Sequence, residues 1–157
     1  LSGEVVSGYF FTGIPGPQFI SPEALRLFRG ELPKDHIFWI SAVDPVSLCG
    51  LSLDPLREYM PRRIEGTYLV YHGSRLIIIL RKKGRDLTIN LPPNELKNDR
   101  YFDVFKHLLT REFKPLRRLI IDLINHKPAP ISPYIPLFKN FFEVTVDVKN
   151  VSLYKRI

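Results

Sequence analysis

Residues 67–91 read TYLVYHGSRLIIILRKKGRDLTINL and carry the clearest structural pattern in the chain. Valine, isoleucine and tyrosine favour strands, and here they are interrupted by two short polar segments that contain Gly73 and Gly84. Glycine supplies the positive φ angle that tight hairpin turns need. The segment therefore predicts a meander of three antiparallel strands at 67–72, 75–82 and 86–91.

The remainder of the chain alternates shorter strand-like and helix-like stretches. Ser21-Pro22 and Ser132-Pro133 each offer an N-cap followed by a first-turn proline, so each predicts the start of a short helix. A third helix is predicted at 99–113, where apolar residues recur every three or four positions: Phe102, Phe105, Leu108, Leu109 and Phe113. Further strands are predicted at 4–11, 36–43 and 117–125, and in the C-terminal stretches FEVTVDV and VSLYKRI.

These elements define the predicted fold class. About eight strands mixed with about three short helices indicate an α+β domain. Because the strands follow one another closely along the chain, we expect a mostly antiparallel sheet that is curled toward a barrel. A length of 157 residues corresponds to one ordinary domain, so residues 1–157 are interpreted as a single unit.

The composition argues against a membrane-spanning protein. The longest uninterrupted apolar run, Leu76 to Leu80, has five residues, whereas a bilayer-spanning helix needs about 20. The single cysteine, Cys49, cannot form an intramolecular disulfide, which fits a reducing compartment, so we expect a cytoplasmic location and no membrane partner. The apolar neighbours of Cys49 predict a buried and unreactive thiol.

The sequence contains no recognisable catalytic motif. It lacks a GxxxxGK[ST] phosphate loop, a GxSxG nucleophile turn and any metal-ligand spacing among its four histidines and one cysteine. Asp44 and Asp54 each precede a proline, where aspartate is first a turn residue and only second a catalytic group or Mg²⁺ ligand. Trp39 lies in the apolar segment IFWI, which favours core packing over stacking on a base. We therefore expect no catalytic residue, cofactor or metal ion in these residues.

The distribution of positive charge is the main functional signal. Lysine and arginine total 23 against 16 acidic residues, and the resulting net charge of +7 favours a polyanionic partner. The charges cluster at Arg62-Arg63, around the second meander turn, at Lys114 with Arg117-Arg118, and at Lys155-Arg156. A basic hairpin tip can follow a phosphate backbone, but it can equally be a solubilising turn that protects a sheet edge. The candidate nucleic-acid-binding residues are Arg62, Arg63, Arg81, Lys82, Lys83, Arg85, Arg117 and Arg118.

An ordered set of stretches resembles a known helicase family. They are GEVVSGYFFTGIPGPQF (3–19), SPEAL (21–25), SAVDPVSLCG (41–50), TYLVYHG (67–73) and INHKPAPISPYIPLF (124–138). Each is weakly specific alone, but together they span nearly the whole chain. Their order resembles the C-terminal, DEAD/H-associated region of the large helicase-related (Lhr) family of superfamily 2 ATP-dependent DNA helicases. Ser47 stands where that family usually has asparagine, and His126 stands where it has glycine after Ile124-Asn125.

The resemblance implies a fragment of a longer helicase chain that works beside motor and winged-helix domains. ATP and Mg²⁺ would bind to the motor domains, whose ATP-binding residues do not occur here. The implied role is DNA binding, to a single strand or a duplex junction, in DNA repair. The alternative is a structural brace between the winged-helix and motor domains that makes no contact with DNA. A free-standing enzyme is a weaker third hypothesis, because no set of residues supports it.

Overall fold

The predicted meander forms the centre of the largest sheet in the computed structural model, which describes residues 4–30 and 34–156. Its three strands pair antiparallel, as predicted. Gly73 lies in the first turn with φ of 56°, and Gly84 closes the second with φ of 96°, so both glycines adopt the left-handed backbone that their turns require. In chain-order numbering the strands are β4 (Tyr68–His72), β5 (Arg75–Arg81) and β6 (Asp86–Ile89).

The other strands extend this sheet or form two smaller ones. Strand β3 (Ile37–Ser41) adds to one edge of the meander, and β8 (Leu123–Ile124) and β9 (Lys127–Pro128) add to the other, with β6 and β8 parallel. The remaining strands are β1 (Val6–Gly8), β2 (Gln18–Ile20), β7 (Leu119–Ile121), β10 (Glu143–Val146) and β11 (Val151–Tyr154). A second sheet has the order β10-β11-β7, and β1 pairs with β2 in a two-stranded sheet. Gly3, the first residue of the family-like stretches, lies outside the described residues.

The predicted curl toward a barrel is wrong for the part of the chain that the structure describes. The largest sheet is open, with the order β3-β4-β5-β6-β8-β9 and no pairing between its two edge strands. The predicted strand at 117–125 is divided at Asp122, because β7 pairs with β11 whereas β8 pairs with β6. The chain thus passes from one sheet into the next instead of closing one. The mixed helix and strand content with mostly antiparallel pairing is confirmed.

All three predicted helices are present. Ser21 caps the first as predicted, since its Oγ accepts a hydrogen bond from the Ala24 amide at 3.1 Å. The predicted cap at Ser132 is wrong, because its Oγ accepts from the Tyr134 amide at 3.4 Å and the helix begins at Ile135 without a side-chain cap. The helices of the described residues are α1 (Pro22–Arg29), a one-turn α2 (Asp54–Arg57), α3 (Asp103–Thr110) and α4 (Ile135–Phe141).

The main core joins the meander to α3, α4 and the second sheet. Phe102, Phe105 and Phe138 are fully buried at its centre. Trp39 is half-buried and packs against this core, as the apolar segment around it predicts. Cys49 is also buried as predicted, in a smaller cluster with Ala42 and Leu69.

Replacing His126 with glycine should stabilise the turn between β8 and β9. Asn125 and His126 form this two-residue turn, and both have positive φ angles, 50° and 64°, which is the type I′ pattern that favours Asn-Gly. A residue other than glycine in the left-handed conformation costs about 1–2 kcal/mol. Glycine avoids this strain, but roughly half of the gain is lost because glycine gives up more conformational entropy on folding. His126→Gly should therefore raise the free energy of unfolding by about 0.5–1 kcal/mol in urea titrations. His126→Ala should give no gain, and a glycine variant no more stable than the parent would contradict this account.

Candidate nucleic-acid interface

The turn between β5 and β6 presents two lysines at its tip. It is a short 3₁₀ turn, Lys82–Gly84, in which Lys82 and Lys83 have positive φ angles of 53° and 58°. Both lysine side chains are exposed, whereas Gly84 is buried. A Cβ atom on Gly84 would lie 2.8 Å from the Leu119 side chain, so the turn is packed tightly against β7. The Lys83 amide donates to the Gly66 carbonyl at 2.8 Å and fixes the turn from the other side.

The two predicted arginines that flank this turn are engaged with neighbouring side chains. The Arg81 guanidinium donates to Thr88 Oγ1 at 2.8 Å and is half-buried. The Arg85 guanidinium pairs with the Asp122 carboxylate at 3.3 Å. Of the four positive charges predicted at this hairpin, the structure therefore leaves mainly Lys82 and Lys83 available to a ligand.

The segment that contains Arg117 and Arg118 lies beside the same turn. Leu116 lines one cavity with Lys83, and Leu119 packs on Gly84. Arg117 and Arg118, which come between these two leucines in the chain, are both exposed. The structure thus brings these predicted site residues next to Lys82 and Lys83.

The C-terminal pair Lys155-Arg156 joins the same region through strand pairing. In the ladder of β7 and β11, Leu119 lies opposite Leu153. Continuing this antiparallel register places Arg118 opposite Tyr154 and Arg117 opposite Lys155. A hydrogen bond of 3.4 Å from the Arg118 guanidinium to the Tyr154 hydroxyl agrees with that placement.

Two cavities flank the C-terminal end of α3 in this region. The first, of about 310 Å³, is lined by three cationic residues, Lys83, Arg111 and Lys114. The second, of about 220 Å³, is lined by Leu109 and Thr110 of α3 together with Lys155 and Arg156. We use the term basic surface for the eight residues around the end of α3 and the hairpin tip: Lys82, Lys83, Arg111, Lys114, Arg117, Arg118, Lys155 and Arg156.

The basic surface carries charge that carboxylates do not neutralise by contact. The ion pairs found among the described residues involve other cations, and no member of the basic surface takes part in one. Glu65 is the only acidic residue that lines the first cavity. Such a surface has a positive potential that attracts polyanions.

The loop after α3 adds an exposed aromatic ring to the first cavity. Arg111 Nε donates to the Lys114 carbonyl at 3.0 Å, and Lys114 has a positive φ of 49°. Phe113, inside this loop, lines the cavity and is 75% exposed, with the Lys114 ammonium 5.0 Å from its ring centroid. The predicted helix at 99–113 is thus too long, since α3 ends at Thr110 and the backbone of Arg111 is already extended.

The second aromatic residue that lines the first cavity is Tyr68. Its ring makes an edge contact with Trp39, with 6.0 Å between centroids, and Trp39 lies 4.8 Å from the His107 ring. Tyr68 and Trp39 are both half-buried against the core. Tyr68 is therefore a rigidly supported surface, whereas Phe113 stands on a loop.

The predicted site residues Arg62 and Arg63 lie outside the basic surface. Arg63 donates to the carbonyls of Val43 and Asp44, at 3.3 Å and 2.7 Å, and holds that loop. Arg62 lines a separate cavity near Met60. The structure does not bring this pair into either cavity at the end of α3.

Sequence reasoning missed Arg111 and Phe113, and it recognised Lys114, Lys155 and Arg156 as basic clusters without assigning them to DNA. Phe113 fits the apolar spacing of α3, so its sequence position predicts a buried side chain. Pro115 is the sequence feature that indicates an earlier end to this helix, because a proline often follows shortly after a helix ends.

Other kinds of site find no support within residues 4–30 and 34–156. No cluster of three or more histidine, cysteine, aspartate or glutamate side chains is arranged there to hold a metal ion. None of the helices in this part of the chain has the length and apolar character needed to cross a membrane.

Comparison with known proteins does not identify the chain. No protein-family model matches its sequence, and no curated protein is significantly similar to it.

Proposed function

We propose that this chain is a nucleic-acid-binding accessory domain of an Lhr-type ATP-dependent DNA helicase, which contacts single-stranded DNA beside the motor domains in the cytoplasm. The observation that carries the proposal is the convergence of three of the four basic clusters around the end of α3. Scattered charges would fit a merely solvated surface, whereas a continuous group of cations can follow a phosphate backbone. The exposed ring of Phe113 beside these cations adds a base-stacking group, as single-strand-binding surfaces typically have.

A structural brace between helicase domains is the second candidate, and a different region supports it. The segment 4–30 exposes a series of large apolar side chains: Val5, Tyr9, Phe11, Phe19, Leu27 and Phe28. An apolar surface of this kind favours contact with another protein domain. This segment does not contribute to the basic surface, so the two roles are compatible in one chain.

The proposed function predicts weak, salt-sensitive binding of single-stranded DNA with little dependence on sequence. If about five phosphates are neutralised, the logarithm of the association constant should fall with log salt with a slope near −3.5. Lys82→Ser with Lys83→Ser should flatten the slope by about 1–1.5, because each lost phosphate contact removes about 0.7. Fluorescence anisotropy of a labelled oligothymidine across a NaCl series measures both quantities.

The matched control removes two exposed lysines outside the basic surface, Lys97→Ser with Lys149→Ser, and should leave the slope unchanged. Equal slopes for the Lys82/Lys83 variant and the parent, with folding intact by circular dichroism, would remove the hairpin from the interface. No detectable binding by the parent at low salt would reject the DNA-binding proposal and favour the brace.

A further inference from the structure

We propose that the cavity between the 3₁₀ turn and the loop after α3 holds one nucleotide of the bound strand, with its base against Tyr68 and Phe113 and its phosphate on Lys83, Arg111 and Lys114. This inference rests on the proposed function and deepens it. It separates the basic surface into a general phosphate track and one position that contacts a base.

The lining of the cavity has the two chemical components that a nucleotide requires. Tyr68 and Phe113 provide aromatic surface, and Leu108 and Leu116 add apolar lining. Three cations line the same cavity, against the single carboxylate of Glu65. The local balance of charge is therefore positive, which suits a phosphate group next to an apolar base.

Arg111 lines the cavity and is held to the loop through one of its three guanidinium nitrogens. Its Nε atom is fixed by the hydrogen bond to the Lys114 carbonyl. The two terminal nitrogens are not needed for this bond, so they can donate to phosphate oxygens as a planar pair. The same hydrogen bond closes the loop that carries Phe113, so the phosphate-binding and base-stacking groups are positioned together.

Phe113 is available for stacking despite its contact with Lys114. The ammonium group lies 5.0 Å from the ring centroid, and the side chain remains 75% exposed. A base that covers this ring would remove apolar surface from water and gain stacking energy. The ring is not part of the buried packing, since it lies beyond the end of α3 and outside both core clusters.

The fluorescence of Trp39 can report whether a base occupies this cavity. Trp39 is the only tryptophan, and its ring centroid lies 6.0 Å from that of Tyr68. A base placed against Tyr68 should therefore change the emission of Trp39. Phosphate binding elsewhere on the basic surface should leave the emission of Trp39 unchanged.

The test uses the full chain with two probes, an oligothymidine and a sugar–phosphate oligomer of equal length whose residues are all abasic. Phe113→Ala should weaken binding of the oligothymidine by roughly tenfold, because one base loses its stacking partner. The salt slope should not change, since no charge is removed. The abasic oligomer should bind the parent more weakly, and Phe113→Ala should cause no further loss. Oligothymidine should alter Trp39 emission, whereas the abasic oligomer should leave it unchanged.

Phe19→Ala is the matched control, because Phe19 is similarly exposed, at 67%, and lies outside the basic surface. It should bind both probes as the parent does. Salt-dependent binding of the oligothymidine with no effect of Phe113→Ala and no change in Trp39 emission would overturn the nucleotide cavity while leaving the proposed function intact. If the parent chain binds neither probe, both the nucleotide cavity and the proposed function are overturned.

Discussion

Phe102→Ala is expected to lower the free energy of unfolding by about 3–5 kcal/mol, the range for truncating a fully buried phenylalanine. The Phe102 side chain is completely buried in the main core. It lies where the 3₁₀ turn Asp99–Phe102 leads into α3, and it also contacts α4 and the residue that follows it. Its ring contacts four other phenylalanines at centroid distances of 4.9 to 6.2 Å: Phe105, Phe138, Phe141 and Phe142.

The size of this effect follows from how the aromatic cluster is held. Its rings come from two separate segments, 102–105 and 138–142, so neither backbone can move into the space without breaking its other contacts. Guanidinium unfolding followed by circular dichroism measures the loss. Phe102→Leu should lose less, about 1–2 kcal/mol, because it fills most of the space, and this variant remains informative if the alanine variant fails to fold.

Phe19→Ala serves again as the control, since an exposed phenylalanine should change stability by no more than about 0.5 kcal/mol. An alanine variant at Phe102 that lost less than about 1 kcal/mol would contradict the packing described for the core.

Asn125→Ala is expected to lower the free energy of unfolding by about 2–4 kcal/mol. The Asn125 side chain bonds both main-chain groups of Ile89, since Oδ1 accepts from the amide at 2.7 Å and Nδ2 donates to the carbonyl at 3.0 Å. Alanine leaves both groups without these partners at a partly buried position, and it tolerates the positive φ of 50° less well than asparagine. The two effects act on the same turn and add.

The variant Asn125→Asp distinguishes the contributions of the two hydrogen bonds to Ile89. An ionised carboxylate still accepts from the Ile89 amide but cannot donate to the Ile89 carbonyl. Its loss of stability should therefore lie between those of the parent and the alanine variant. Urea titration gives the ranking, and faster hydrogen exchange of the Ile89 amide should accompany the alanine variant alone. Equal stability of the parent and the alanine variant would show that the side chain does not hold the end of β6.

Asn125 and Tyr134 explain why the stretch 124–138 has its polar residues where it does. The Tyr134 hydroxyl donates to the Leu91 carbonyl at 2.7 Å. Burial raises the pKa of Tyr134 above its ordinary value, so the hydroxyl stays protonated and remains a donor. Together the two side chains bind the main chain at the last residue of β6, Ile89, and two residues beyond it, at Leu91. These contacts give a structural reason for the positions of Asn125 and Tyr134 in this stretch.

The candidate site was partly predictable. Lys82, Lys83, Arg117 and Arg118 are visible as charge clusters, and the structure leaves all four exposed in one region. Arg63 belongs to an equally clear cluster, yet its guanidinium holds two main-chain carbonyls of a distant loop. Side-chain charge is a property of the sequence, but the partner of that charge depends on which segments meet in the fold.

Local chemistry determines much of this protein. The meander at 67–91 follows from strand-forming residues and glycine turns, and the start of α1 follows from Ser21 and Pro22, because the interactions that set them lie within a few residues. Long-range pairing determines the rest. The partner strands of β7 and β8 decide that the chain changes sheets at Asp122, and the end of α3 exposes Phe113 instead of burying it. The basic surface depends on the contact between Gly84 and Leu119 and on the register of β7 with β11. Those contacts join residues 30 to 35 positions apart, a separation at which local propensity carries no information.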